Sequence, residues 1–221
     1  MADYRDNPLR SGTITGRAAG AEIDQGLRAY MMRVYNYMAL ALAVTGVAAL
    51  GTFNLAVSDG QLTSLGVALY TSPLKWVVML APLALVFFLG FRINKMSVGA
   101  AQATFWTYAA LVGISLSTIF LVFTATSITQ TFFVTAAAFG ALSLYGYTTK
   151  RDLSAMGSFM IMGLFGLIIA MLVNFFLQSS ALQFAISAIG VLVFAGLTAY
   201  DTQRIKDTYY MVAGDAAAAA K

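Results

Sequence analysis

Two long stretches of this chain carry no charged side chain. No Asp, Glu, Lys or Arg occurs in the 54 residues between Lys95 and Lys150, or in the 48 residues between Asp152 and Asp201. A soluble domain needs charged groups on its surface to stay wetted, so the solvent around these stretches is hydrocarbon. The sequence therefore predicts a polytopic membrane protein whose main partner is the lipid bilayer.

Composition narrows the chemistry that the chain can perform. It has neither Cys nor His, which excludes disulfides, thiolate nucleophiles and imidazole acid-base catalysis. The sequence shows no phosphate-binding glycine loop and no paired catalytic carboxylates, so we predict neither an enzyme activity nor a cofactor, and we assign no metal site. The net charge of +4 reflects membrane topology and does not indicate nucleic acid as a partner.

Six segments are long and apolar enough to cross a bilayer core of about 30 Å, which takes about 20 helical residues. Their apolar runs are continuous, whereas the strands of a membrane β-barrel alternate polar and apolar residues. We therefore predict an all-α bundle of six transmembrane helices, near residues 34–53, 76–91, 101–123, 131–148, 156–176 and 182–200. Asp59 and Gly60 mark the first connection, and the uncharged run 124–130 forms the third.

The distribution of Lys and Arg predicts the topology. Cytoplasmic segments of membrane proteins retain positive charge. With six spans, Lys75 is the one basic residue on its side. The other twelve all fall on the opposite side, which places both ends of this chain in the cytoplasm: Arg5, Arg10, Arg17, Arg28, Arg33, Arg92, Lys95, Lys150, Arg151, Arg204, Lys206 and Lys221.

The chain divides into four predicted segments. Residues 1–16 are polar and contain Pro and Gly, which predicts a mobile cytoplasmic tail. Apolar residues recur at helical spacing over 17–33, which fits either an amphipathic helix in the membrane interface or a solvated extension of the first span. The transmembrane bundle covers 34–212, and an Ala-rich tail follows over 213–221.

Polar residues inside the spans are candidates for lining a hydrated cavity. Four of them share one stripe of the third span, and Asn174 lies near the end of the fifth. Hydrogen bonding between helices is the alternative explanation for such residues, and for these it is the more common one. The four are Thr104, Tyr108, Ser115 and Thr118.

Asp201 is the charged residue whose depth in the membrane decides its meaning. A carboxylate at the centre of a span costs about 2.5 to 3.5 kcal/mol on insertion scales, so such residues are rare and often functional. If the sixth helix starts near Leu182, Asp201 lies about 28 Å along its axis, at the rim of the hydrocarbon. It then either pairs locally with Arg204 or acts in gating or proton sensing, with Arg92 as a second candidate partner.

Three stretches of the sequence resemble the Bax inhibitor family of transmembrane proteins, in particular its bacterial YccA-like branch. They are residues 27–31 (LRAYM), 145–154 (YGYTTKRDLS) and 200–203 (YDTQ). The resemblance implies a helical bundle around a central pathway and, in bacterial relatives, a pH-sensitive calcium leak. It also implies that Asp201 pairs with a second aspartate on a seventh span and that an arginine matching Arg92 holds the closed state. The sequence given ends at Lys221 without such a span, so either the chain has been cut short or this member lacks the seventh helix. Without that helix the carboxylate pair cannot be assembled from these residues.

Two functions remain open from the sequence. The first is an ion-homeostasis protein or cation leak of the bacterial inner membrane, with calcium as the conducted ion and Asp201 as the proton sensor. The second is a regulatory membrane protein without transport activity that binds a membrane-anchored AAA protease and its scaffold complex, as the resemblance to the YccA-like branch implies. The charged segment 1–16 would be the part presented to that partner.

Overall fold

The computed structural model describes the backbone of residues 8–219 and the side chains of residues 25–213 apart from Asn94. Within this part of the chain almost every residue is helical. The long helices are α1 (Pro8–Ala56), α3 (Leu74–Arg92), α4 (Val98–Leu116), α6 (Ala125–Thr148), α7 (Ser154–Leu177) and α8 (Ser180–Ala219). The short elements are β1 (Val57–Ser58), β2 (Gln61–Leu62), α2 (Ser64–Gly66), a π-helical turn (Val67–Thr71), a 3₁₀ turn (Ile93–Lys95) and α5 (Ile119–Val122).

Six helical segments of the described chain are long and apolar enough to cross a membrane. They confirm the predicted all-α bundle of six transmembrane helices. Their bounds are Gln25–Ala56, Leu74–Arg92, Val98–Val122, Ala125–Thr148, Ser154–Leu177 and Ser180–Ala213.

The outer surface of these helices is apolar. Large hydrophobic side chains such as Phe91 and Phe176 are 82% and 77% exposed, and few residues are fully buried. Water around such a surface would be strongly unfavourable, whereas lipid tails are as apolar as the side chains themselves. The environment of the helices is therefore a lipid bilayer.

The predicted third connection is wrong in its extent. The run 124–130 was expected to be a loop, but α6 begins at Ala125. The Thr124 hydroxyl accepts a hydrogen bond from the Ser127 amide at 3.2 Å, and the Thr129 hydroxyl donates to the Ala125 carbonyl at 2.8 Å. These local bonds satisfy the polar groups of the run within a helix, so its polarity does not end the helix.

The first connection contains a hairpin, in agreement with its Asp-Gly signal. Asp59 and Gly60 both have positive φ, 52° and 75°, as a two-residue hairpin turn requires. The turn pairs β1 with β2 in antiparallel register, Ser58 opposite Gln61.

The described residues form two compact units, one of residues 8–32 with 131–219 and one of residues 33–130. In the first unit α7 packs on α8 through Leu167, Ile186 and Val193. In the second unit α1 approaches α4 closely, because Gly113 lies against the Thr45 backbone. The Thr45 hydroxyl donates to the Ala109 carbonyl at 2.9 Å across the same contact.

The predicted segments at the two ends of the chain lie only partly within the described residues. Residues 1–7 of the predicted tail lie outside them, and from Pro8 onward the backbone is part of α1. The predicted segment 17–33 is continuous with the first span, although its side chains before Gln25 are outside the described set. At the other end α8 runs on to Ala219, and residues 220 and 221 are again outside.

Candidate functional site

Asp201 lies within α8 and does not terminate it. The candidate span of this helix is Ser180–Ala213, and Asp201 is the first charged residue along it, about 30 Å along the axis from Ser180. Its side chain is exposed and has no hydrogen-bond partner within the described part of the chain. Arg204, one helical turn further on, is the charged side chain that acts on it electrostatically.

The residues next to Asp201 are held firmly by the rest of the first unit. Thr202 and Gln203 are 3% and 8% exposed, which is rare for polar residues. The Thr202 hydroxyl donates to the Thr198 carbonyl at 3.0 Å and lies 3.4 Å from the hydroxyl of Ser143 on α6. Their polar groups are therefore partnered inside the protein, whereas Asp201 points away from it.

Gln203 binds the connection between α6 and α7 with both ends of its amide. Its Nε2 donates to the Arg151 carbonyl at 2.8 Å, and its Oε1 accepts from the Leu153 amide at 2.8 Å. The Leu153 backbone lies at the start of α7 and is buried with its side chain. One buried side chain thus satisfies a donor and an acceptor of a loop about 50 residues away in sequence.

Two glycines allow the backbones to approach at the same place. A Cβ on Gly146 of α6 would collide with the Ala199 carbonyl, and one on Gly157 of α7 would collide with the Tyr200 ring. On the far side of Asp201, the Lys206 ammonium donates to the Tyr147 carbonyl at 3.0 Å, near the C-terminal end of α6. Basic groups are favourable at this end of a helix because its carbonyls are unpaired.

Arg92 is the last residue of α3 and belongs to the second unit. Its guanidinium carbon lies 6.0 Å from the centre of the Phe88 ring. This contact lies within α3, one turn back along the helix. A contact of Arg92 with Asp201 stays a prediction.

The predicted polar stripe of the third span separates into two pairs. The Thr104 hydroxyl donates to the Ala100 carbonyl at 2.8 Å, and the Thr118 hydroxyl lies 3.4 Å from the Ser115 carbonyl. Tyr108 and Ser115 instead line an open groove of about 250 Å³ between α3 and α4. The other residues lining this groove are mainly apolar and include Met79, Pro82, Val86 and Val112.

Asn174 lies in the last turn of α7, next to the connection to α8. It is 8% exposed, its Nδ2 donates to Gln183 Oε1 at 3.0 Å, and its Oδ1 accepts from the Ser179 amide at 3.0 Å. Gln178 between them is left-handed with φ 50°. The Asn174 amide thus holds a tight helical turn together.

Asp201 was predictable as a site residue from the sequence, whereas the residues that anchor its segment of α8 were not. Gln203 and Thr202 lie within the same short motif, yet nothing local distinguishes them from solvated residues at a helix end. Their role depends on Ser143 and on residues 151–153, which are close only after folding. No group of three or more Asp or Glu side chains is placed to hold a metal ion within the described residues.

The fold and this site define a polytopic α-helical membrane protein whose last described apolar helix carries an exposed carboxylate. The family profile described as inhibitor of apoptosis-promoting Bax1 matches residues 27–220. The chain therefore belongs to the Bax inhibitor family, as its three motifs predicted.

Relatives extend over most of the chain. A Rickettsia prowazekii protein without an assigned function is 50% identical over 217 residues, 97% of this chain and 86% of the relative. A Caulobacter vibrioides protein, also without an assigned function, is 47% identical over 100% of this chain and 88% of its own length. The inner membrane protein YbhL of Escherichia coli is 48% identical over 82% of this chain and 75% of its own length. No solved structure matches the chain.

Proposed function

We propose that this protein is a pH-sensitive cation leak of the bacterial inner membrane, with calcium as the conducted ion and Asp201 as its proton sensor. The location follows the name of its relative YbhL. The observation that carries the proposal is the state of Asp201, an exposed carboxylate on an apolar helix whose neighbouring residues are fixed to α6 and α7. The proposal assigns the chain no catalytic chemistry and no cofactor.

The position of Asp201 suits a proton sensor physically. At about 30 Å from the other end of the span it lies at the rim of the hydrocarbon, where protons from water reach it. An ionised carboxylate there attracts a cation and also attracts Arg204. Protonation removes both attractions, so the balance between a closed and an open state becomes dependent on pH.

Other charged groups surround this rim. Arg204, Lys206 and Asp207 follow on α8, and residues 150–152 (Lys-Arg-Asp) form the connection that Gln203 binds. Among these groups, Arg204 interacts electrostatically with the Asp201 carboxylate. Arg92 is the proposed second partner, from the family resemblance.

Calcium flux in proteoliposomes tests the proposal. We expect the purified protein to release entrapped calcium at a rate that changes between about pH 6 and about pH 8, and Asp201→Asn to remove this dependence because the amide does not titrate in that range. Asp207→Asn is the matched control, since Asp207 is an exposed carboxylate of the same helix. It should behave like the wild type. A wild-type protein without flux, or an Asp201→Asn variant with an unaltered pH response, would show the proposal to be wrong.

The alternative function is regulation of a membrane-anchored AAA protease and its scaffold complex without transport. Deleting residues 1–16 separates the two functions, because this segment precedes the part of α1 that forms the first span. The leak proposal predicts that the deletion leaves calcium flux intact. The alternative is favoured if the wild type shows no calcium flux and the deletion of residues 1–16 abolishes co-purification with the protease.

A further inference from the structure

One face of the α8 segment around Asp201 is fixed to α6 and to the α6–α7 connection, and the Asp201 carboxylate lies off that face. Ala199, Thr202, Gln203 and Lys206 each contact α6 or the connection that follows it, and Tyr200 contacts α7. Asp201 is exposed between them. We call these contacts the α8 clasp.

The clasp determines both the rotation and the axial position of α8. Residues 199, 202, 203 and 206 recur at helical spacing and therefore share one face of the helix. A rotation that swung Asp201 inward would remove Gln203 from the Arg151 carbonyl and the Leu153 amide and leave both backbone groups without their partner. A shift of α8 along its axis is opposed by the close approach of Ala199 to Gly146.

Gln203 is the centre of the clasp chemically. Its amide makes two hydrogen bonds of 2.8 Å between α8 and the connection, and the residue is 8% exposed. The two bonds need one donor and one acceptor in a fixed geometry, which neither a Glu nor a Leu provides. Gln203 is therefore suited to hold α8 in a single orientation.

We propose that Gln203 is a positioning residue for Asp201, because it holds α8 against the α6–α7 connection and so fixes where the carboxylate is presented. The inference rests on the proposed function for its consequence in ion flux, but its structural part is tested independently. It implies that opening does not involve rotation of α8 against the connection. What changes on protonation is the electrostatic attraction between Asp201 and Arg204.

Distance measurements between spin labels test the structural part, since the chain contains no Cys and labels are placed singly. The first pair joins Asp201→Cys to Phe133→Cys, an exposed position of α6. The second pair joins Phe165→Cys, an exposed position of α7, to Ser187→Cys, and it reports on the α7–α8 pair about two turns or more from the clasp. In the wild type we expect a single narrow distance distribution for each pair. Gln203→Leu should broaden the distribution of the first pair and leave that of the second pair unchanged.

Thr208→Val is the matched control, because the Thr208 hydroxyl donates only to the Arg204 carbonyl of its own helix. It should leave both distributions narrow. An unchanged first pair in Gln203→Leu, or equal broadening of both pairs, would overturn the inference. If Gln203→Leu does not fold, Gln203→Glu decides in its place, because it keeps the acceptor for Leu153 and loses the donor to Arg151.

Flux measurements test the functional part. In the wild type and in Thr208→Val, Asp201→Asn should change the calcium flux, whereas in Gln203→Leu it should no longer do so. If Asp201→Asn has no effect on flux in the wild type, the proposed function is wrong. The spin-label distances then still test the positioning role of Gln203. If Asp201→Asn changes flux equally in Gln203→Leu, the positioning role alone is wrong.

Discussion

Gly146 is a residue whose missing side chain is a structural requirement. A Cβ there would collide with the Ala199 carbonyl, which belongs to the backbone and cannot move aside cheaply. We expect Gly146→Ala to lower the free energy of unfolding by about 1 to 3 kcal/mol, as overpacking does. Gly140→Ala on the same helix meets nothing within 4 Å and should be neutral or slightly stabilising. Reversible unfolding in mixed detergent micelles compares the two, and equal effects would contradict the close approach.

Asp152, which lies outside the spans, makes the free energy of unfolding depend on pH. Hydrogen bonds from the Ser154 side chain and from its backbone amide, the latter at 2.8 Å, lower the pKa of Asp152 from its ordinary value of 3.8. Because the folded-state pKa is the lower one, this stabilisation is present above pH 3.8 and disappears as the pH falls through the folded pKa.

The consequence is a pH-dependent effect of removing that carboxylate. Asp152→Ala should lower the thermal unfolding midpoint at neutral pH, and its difference from the wild type should shrink in acid below pH 3.8. Asp207→Ala, an exposed carboxylate of α8 without a side-chain hydrogen bond in the described chain, should leave the neutral-pH midpoint close to the wild type. A difference for Asp152→Ala that grew toward low pH would show that the hydrogen bonds from Ser154 to this carboxylate do not stabilise the protein.

At the scale of elements, the turn between α7 and α8 depends on one buried amide. The buried Asn174 amide bonds both Gln183 and the Ser179 amide, so Asn174→Ala breaks two partly buried hydrogen bonds. We expect a loss of about 1 to 2 kcal/mol in the free energy of unfolding. Ser187→Ala removes a hydroxyl that bonds only within α8 and should cost less than about 0.5 kcal/mol. Unfolding in mixed micelles provides the measurement, and equal costs would show that the turn does not need Asn174.

Over the whole molecule, the number of spans determines which connections share a side of the membrane. With six spans, the first connection lies opposite the one between α6 and α7. We expect a thiol at Ser58→Cys to react with an impermeant reagent from outside the cell, and one at Lys150→Cys only after the membrane is opened. Labelling of both from the same side would contradict the proposed orientation with both ends of this chain in the cytoplasm.

The class of the protein and its six spans followed from the residues alone, because hydrocarbon excludes charge from every helix regardless of how the helices pack. Local chemistry was equally readable where it acts over a few residues, as at Asp59 and Gly60, which marked the first connection, although the hairpin there was not predicted. It misled at 124–130, where hydroxyls bonded within their own helix made a helical start look like a loop.

The surroundings of Asp201 depended on folding. Gln203 finds its partners at Arg151 and Leu153, Thr202 approaches Ser143, and Gly146 meets Ala199, all more than 45 residues apart in sequence. The polar stripe of the third span divided in the same way, since two hydroxyls bond their own helix and two line the groove beside α3. A sequence pattern indicates which residues are too polar for lipid. The hydrogen-bond partner of a buried polar group depends instead on which backbone groups the packed helices bring close to it.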